Sequence, residues 1–448
     1  MLSKLMHRPS QAELVADLSE LLSRERVSIA TPDKALHSGD YWPKAHIWRR
    51  EGELGAYAPD CVAWPETYKE VQALVSYCAD AHLHLIPFGG GTGVCGGVLP
   101  LTGGVSVDLK RLKEVLDVDH ASQTVRAQAG ISGQDLEGLL NTQGFTLGHA
   151  PASLLRSTLG GWLATRAAGR YSSRYGKIED LVMSLKVVLP DAELLDSAAR
   201  AAGEPDWTQI IVGSEGTLGL IVEATLRVHP MPEVRDLKGY KFDHLHQGLE
   251  AMRLVMQSGL QPMTLSLYDP FESALVLKAG RLSQGKEGRA LSDAYERHGP
   301  FERLKAKGAA YALSVPGLTN RLAHMVGTTC VLVIGFEGPA SAVERHAMRG
   351  AEIVLDAAGR EVRHLPPHDW HAKRYDMSYA RTGLSEAGSF KDTMDVATTW
   401  DRIYALHDAV IRAVSPHAVV VAHFAHAYRE GCTISFSFAG HQRQGNKT

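Results

Sequence analysis

The chain lacks most of what would place it outside ordinary soluble enzymes. It has only five cysteines in 448 residues: Cys61, Cys78, Cys95, Cys330 and Cys432. None forms a CxxC pair, which excludes a zinc ribbon and a disulfide framework and fits reduced cytoplasmic thiols. Long hydrophobic runs are missing too. Val331 to Phe336 and Ala418 to Ala422 are far shorter than the ~20 residues that cross a bilayer. The first residues, MLSKLMHRPSQAEL, hold no continuous apolar core, so no secretory signal is expected. Charge of one sign is also scarce. The formal net charge is -3, which leaves no basic field for nucleic acid. There is no fixed-period repeat and no GxGxxG opening a helix with an acid about 20 residues on, so a Rossmann fold is not indicated.

What is present is an ordinary globular balance, 44% hydrophobic and 22% charged, in a chain long enough for two or three domains. Residues 1–57 read as an N-terminal helical region. Leu14, Val15, Leu18, Leu21 and Leu22 recur at helical spacing, and 37–57 reads as a loop rich in Trp, Gly and charge. Residues 58–232 alternate strands and helices. Thr67 and Glu70 make a capping box ahead of Val71, Leu74, Val75 and Cys78. His84-Leu85-Ile86 reads as a buried strand. Val105/Val107/Leu109, Val125/Ala127/Ala129 and Val222/Ala224/Leu226/Val228 alternate as strands. Residues 233–440 form a further mixed domain, followed by a polar tail, 441–448.

Four glycine-rich segments carry the chemistry. Pro87-Phe88-Gly89-Gly90-Gly91-Thr92-Gly93 follows a strand and can turn several N–H groups toward one point, as a pyrophosphate requires. Ser153-Leu154-Leu155-Arg156-Ser157-Thr158 offers hydroxyls before Gly160-Gly161; the plain alternative is a capped helix start. Thr165-Arg166-Ala167-Ala168 and Glu215-Gly216-Thr217-Leu218-Gly219-Leu220-Ile221 read as glycine turns between strands, suited to a flat ring or a ribityl chain. For each segment alone an ordinary turn is a fair alternative. All four in order within about 135 residues read as a dinucleotide cradle of another kind.

PFGGGTG, GHAPASLLRSTLGGW, TRAAGRYSSRYGKIEDLV and GSEGTLGLIVEATLRVHPMPE resemble the FAD segments of the vanillyl-alcohol-oxidase and p-cresol-methylhydroxylase superfamily. DTMDVATTW and AHFAHAYREGCTISFSFAG are more specifically similar to the alkylglycerone-phosphate synthases and their bacterial relatives. The resemblance implies an α+β fold, with a two-part FAD-binding domain and an antiparallel-sheet cap. It implies non-covalent FAD on the four segments above. It also implies exchange of an acyl group for a fatty alcohol on a glycerone phosphate in ether-lipid synthesis, without net redox change. Arg381 matches the family's arginine in the cap and would hold a substrate phosphate or carboxylate.

The sequence departs from that pattern in four places. Ser435, in Ile434-Ser435-Phe436, stands where the resemblance implies a catalytic tyrosine. Its hydroxyl is a far poorer acid or base than a phenol. Ser266 stands for an arginine, Ala152 for an aspartate, and a three-histidine run expected nearer the end is missing, as in an altered C-terminus. His423 and His426 are the candidate replacement proton carriers, with hydrogen-bonded strand histidines as the plain alternative. His364, His368 and His371 sit around Pro366-Pro367, which breaks any ligand spacing, so no metal is expected. Two further functions stay open: an FAD-linked dehydrogenase or oxidase of a D-lactate- or glycolate-type 2-hydroxy acid, and an FAD-binding protein that has lost catalysis. The expected partner is a lipid-like or small phosphate or carboxylate substrate. Peripheral membrane contact follows from a fatty substrate alone, and a homodimer is kept open.

Overall fold

A computed structural model describes residues 8–52, 57–199, 201, 203–274, 277, 311–324, 327–362 and 389–441. The chain divides into two compact units, residues 1–169 with 176–231, and residues 170–175 with 232–448. The second unit therefore owns a six-residue stretch lying inside the sequence of the first.

The described residues of the first unit form two larger sheets and a two-stranded one, Phe145–Thr146 with His229–Pro230. Strands Val27–Ser28, Cys61–Ala63, Val105–Asp108 and Leu85–Phe88 lie side by side in that order, the last three parallel. Strands Val115–Asp119, Thr124–Gln128, Leu220–Arg227, Val182–Val188 and Leu194–Asp196 form an antiparallel five-stranded sheet in that order. Helix Tyr68–Asp80 begins at the Thr67/Glu70 capping box and buries Val71, Leu74, Val75 and Cys78. Helix Gln11–Leu21 starts at a second box, Ser10/Glu13. Its Leu14 and Leu18 join those residues in one core with Val105 and Val107, so the N-terminal region is part of the first unit. Two sequence expectations change. The 37–57 stretch contains a helix, Pro43–Glu51, with proline in its first turn and Gly52 closing it at φ 77°; proline fits a helix start and glycine the left-handed stop. The strand after His84 runs Leu85–Phe88 and is only half-buried until Phe88.

The second unit is built on a seven-stranded antiparallel sheet. Its order is Arg360–Glu361, Val234–Phe242, Cys330–Gly338, Thr264–Tyr268, Val419–Ala427, Gly431–His441 and Ser389–Thr399. One face carries Phe242, Leu267, Leu332, Phe424, Ile434 and Phe436, which form a core with Met252 and Val255 of helix Leu245–Gln257, Val354 of helix Ala340–Asp356 and Ile403 of helix Ile403–Val414. Because strand side chains alternate, Ser266, Tyr268, His423, Ser435, Asp395 and Glu337 project from the other face. Among the described residues no helix is long and apolar enough to cross a membrane.

Candidate functional site

The four glycine-rich segments converge within the first unit. Parallel pairing of Phe88 with Asp108 ends the strand and releases Gly89 and Gly90 into the turn. There they press against the second segment. A Cβ on Gly89 would stand 2.4 Å from Thr158 Oγ1, and one on Gly90 would stand 2.2 Å from the Arg156 carbonyl oxygen. Gly91 adopts φ 62° with the Phe88 ring beneath it. In the fourth segment Gly216, at φ 78°, packs on Pro87. Glycine is needed at these positions because no side chain fits.

The hydroxyls of the second segment serve the fold itself. Thr158 caps helix Leu159–Thr165 by accepting from Gly161 N–H. Ser157 Oγ accepts from Trp162 Nε1 at 2.7 Å and donates to the Ser153 carbonyl. Leu154 is buried, while Leu155 and Arg156 are exposed. Backbone bonds from Gly133 N to Ser157 O, from Leu159 N to Ile131 O and from Gly160 N to Ala129 O lock the segment against the chain that leaves strand Thr124–Gln128. The capped-helix alternative is thus part of the answer: the cap positions the backbone.

The third and fourth segments are not turns between strands. Thr165 ends a helix, and Arg166 closes it in the left-handed region at φ 49°. The Arg166 guanidinium is spent on the carbonyls of Val212 and Gln209, both at 2.9 Å. Gly176 and Lys177 separate helices Ser172–Tyr175 and Ile178–Leu181. Residues 213–219 join helix Trp207–Ile211 to strand Leu220–Arg227. The N–H groups of Gly213 and Glu215 donate to Leu163 and Ala164, docking the fourth segment on the end of the first helix. Glycine and alternation invited the strand reading; short helices of four and five residues leave too little periodicity to oppose it.

Sequence reading missed Asp40, Tyr41 and Trp42. The Asp40 carboxylate accepts from Trp42 N–H and Gly96 N–H, both at 2.9 Å, and Tyr41 N–H donates to Gly93 O. Tyr41 Oη also accepts from Arg156. These residues bridge the first and second segments from a stretch without glycine periodicity; the only signal was an Asp-aromatic pair ahead of a proline.

This arrangement fits FAD. Among the described residues the N–H groups of Gly90, Gly91, Thr92 and Gly93 donate no hydrogen bond to the chain. A turn with free amides, closed on a second backbone, suits a pyrophosphate. Bound FAD supplies the electrophilic flavin ring; the chain supplies the amides and the close-packed glycines.

In the second unit the polar sheet face collects the catalytic candidates. Asp395, Ser435 and His423 are direct neighbours across three strands, and His423 pairs with Tyr268 on a fourth. Ser435 is 7% exposed and its hydroxyl donates to Asp395. His423 Nδ1 faces Glu272 Oε2 at 3.5 Å. His426 lies at a β-bulge with φ 49°, and its Nδ1 is 2.8 Å from Ser172 Oγ, which also accepts from Tyr428 Oη. Tyr175 Oη donates to Glu337, the partner of Arg235. Residues 170–175 are therefore held on this face at two points. Ser266 pairs with Val333 two residues from Tyr268. Arg381, His364, His368, His371 and residues 442–448 lie outside the described residues. Among the described residues no three His, Cys, Asp or Glu side chains gather as metal ligands.

Comparison with known proteins agrees with this geometry. Residues 59–198 match the FAD binding domain family, and residues 231–448 match the C-terminal domain of FAD linked oxidases. An alkyldihydroxyacetonephosphate synthase of Dictyostelium discoideum is 31% identical over 403 residues, 86% of this chain and 62% of that protein. The chain thus spans less than two thirds of that relative's length. A mitochondrial D-lactate dehydrogenase [cytochrome] of Arabidopsis thaliana is 33% identical over 51% of this chain and 40% of its own. A solved alkyldihydroxyacetonephosphate synthase superposes with a TM-score of 0.78 at 29% identity, covering 99% of this chain and 84% of that one. A p-cresol methylhydroxylase structure at 14% identity shares the fold, with a TM-score of 0.69 over 97% and 83% of the two chains. With both domains matched in order, the chain belongs to the FAD-linked oxidase family of flavoenzymes.

Proposed function

We propose that this flavoenzyme replaces the acyl group of an acyl-glycerone phosphate with a fatty alcohol, as an alkylglycerone-phosphate synthase does. The observation that carries the reading is extent: likeness to the synthases runs through both units, over 403 residues. In this reading the first unit holds FAD on Pro87 to Gly93, Ser153 to Thr158, Thr165 to Ala168 and Glu215 to Ile221. Arg381 holds the substrate phosphate, and His423 and His426 carry the proton. The Ser435 hydroxyl, committed to Asp395, orients that carboxylate. The enzyme is cytoplasmic and meets its fatty substrate at a membrane surface, which liposome flotation would test; a protein left wholly in the soluble fraction would count against it.

A second reading, an FAD-linked dehydrogenase of a D-lactate-type 2-hydroxy acid, draws support from the 33% identity to a D-lactate dehydrogenase, confined to half the chain. The two separate in one anaerobic experiment. A synthase releases fatty acid from acyl-glycerone phosphate and alcohol while its flavin stays oxidised. A dehydrogenase bleaches on D-lactate or glycolate. A yellow protein that does neither has kept FAD and lost catalysis.

A further inference from the structure

The strand Thr264–Tyr268 ends at Asp269, and the next helical turn opens at Pro270. Asp269 caps that turn, its Oδ1 accepting from Glu272 N–H at 2.7 Å. Its other oxygen accepts from Ala422 N–H at 2.6 Å, and its own N–H donates to Ala422 O at 2.9 Å. One buried carboxylate thus fixes the backbone of Glu272 and that of the residue before His423. The consequence is that the two side chains meet: His423 Nδ1 lies 3.5 Å from Glu272 Oε2. Both atoms are shut off from solvent, and among the described residues neither has a hydrogen bond. Buried polar atoms are almost always satisfied, and among the described residues each of these two faces the other. A small side-chain rotation brings the pair to hydrogen-bond distance. The His423 side chain still keeps 30% exposure, so with Nδ1 buried the open edge of the ring is the Nε2 side. Tyr268 flanks the ring at 5.8 Å, and Ser435 with Asp395 stands beside it across the strands.

We propose that Glu272 is a positioning residue for His423: it accepts from Nδ1–H and so presents Nε2 as the base that takes the O–H proton of the substrate. The inference rests on the preceding reading for its substrate, although a 2-hydroxy acid has an O–H that needs the same base. The O–H proton passes to Nε2, the imidazolium lies against the Glu272 carboxylate, and the proton then leaves to solvent. A carboxylate behind an imidazole fixes both tautomer and ring direction. This supplies the proton transfer that Ser435 is ill-suited to perform.

The test compares FAD-loaded wild type, Glu272→Leu and Glu272→Gln, with flavin absorbance and melting temperature as folding controls. Histidine labelled with ¹⁵N reads the His423 tautomer, assigned by its loss in His423→Gln. The wild type should hold Nδ1–H. Glu272→Leu should shift the population toward Nε2–H and lower kcat about 100-fold with KM unchanged. Glu272→Gln keeps an acceptor and should restore the tautomer with part of kcat. An unchanged tautomer in Glu272→Leu overturns the proposal, as does a changed tautomer with kcat intact. If neither acyl exchange nor hydroxy-acid oxidation occurs in wild type, the functional reading fails separately, and the tautomer alone decides whether Glu272 orients His423.

Discussion

Gly90 and Arg156 lie backbone to backbone: a methyl group added at residue 90 would stand 2.2 Å from the Arg156 carbonyl oxygen. The first two glycine-rich segments are therefore one packed object. Gly90→Ala must push them apart and with them the free amides of the turn. The purified variant should be colourless, or should lose FAD on gel filtration, where the wild type stays yellow. Full flavin content in Gly90→Ala would rule out the cradle.

Gly138 offers the contrasting case. It lies inside helix Gly133–Thr142, and a Cβ there meets nothing within 4 Å. Gly138→Ala should raise stability by about 0.5–1 kcal/mol through helix propensity. Thermal melting checks this, with flavin content unchanged.

Asp40 ties the glycine turn to the segment before it through Trp42 N–H and Gly96 N–H. Asp40→Ala removes both acceptors and should weaken FAD binding by about tenfold, the effect of losing roughly 1.4 kcal/mol of ordering. Titration of the apoprotein with FAD, followed by flavin fluorescence, measures it; equal affinity would show that the turn holds its shape unaided.

Burial pushes the Asp269 carboxyl up to about 7 against the backbone hydrogen bonds that favour its charge. Between about 4 and about 7 the folded protein keeps a proton that the unfolded chain has released. The stability from this group is full at low pH, falls as pH rises through that window and is level above it. Asp269→Asn should flatten that slope in a series of melting curves. It should also cost about 1–3 kcal/mol, because an amide cannot accept from both Glu272 and Ala422. An unchanged slope would mean that Asp269 is ionised throughout.

Much of this was legible in the sequence where period or chemistry was strong. The Thr67/Glu70 box and the alternation from Val222 to Val228 gave the right elements, since both signals are local. Alternation at Ile434, Ser435 and Phe436 also told core face from polar face. The helix Pro43–Glu51 was hidden because its mean composition is polar and aromatic, without an apolar stripe. The short helices after Thr165 were hidden by their length. Glu272 could not be found at all. Its meeting with His423 depends on an antiparallel neighbour about 150 residues away, and register of that kind is set by the whole sheet. The four segments were readable as glycine runs, but the roles of their side chains were not: Arg166 and Ser157 are occupied inside the unit.

The six residues 170–175 sit with the second unit although the chain on both sides of them belongs to the first. No single cut in the gene therefore separates two self-sufficient pieces. A fragment beginning at residue 232 would leave His426 and Glu337 without Ser172 and Tyr175. Exchange of the second unit between relatives would have to carry this short insert along, which makes the two halves partners in inheritance and not interchangeable cassettes.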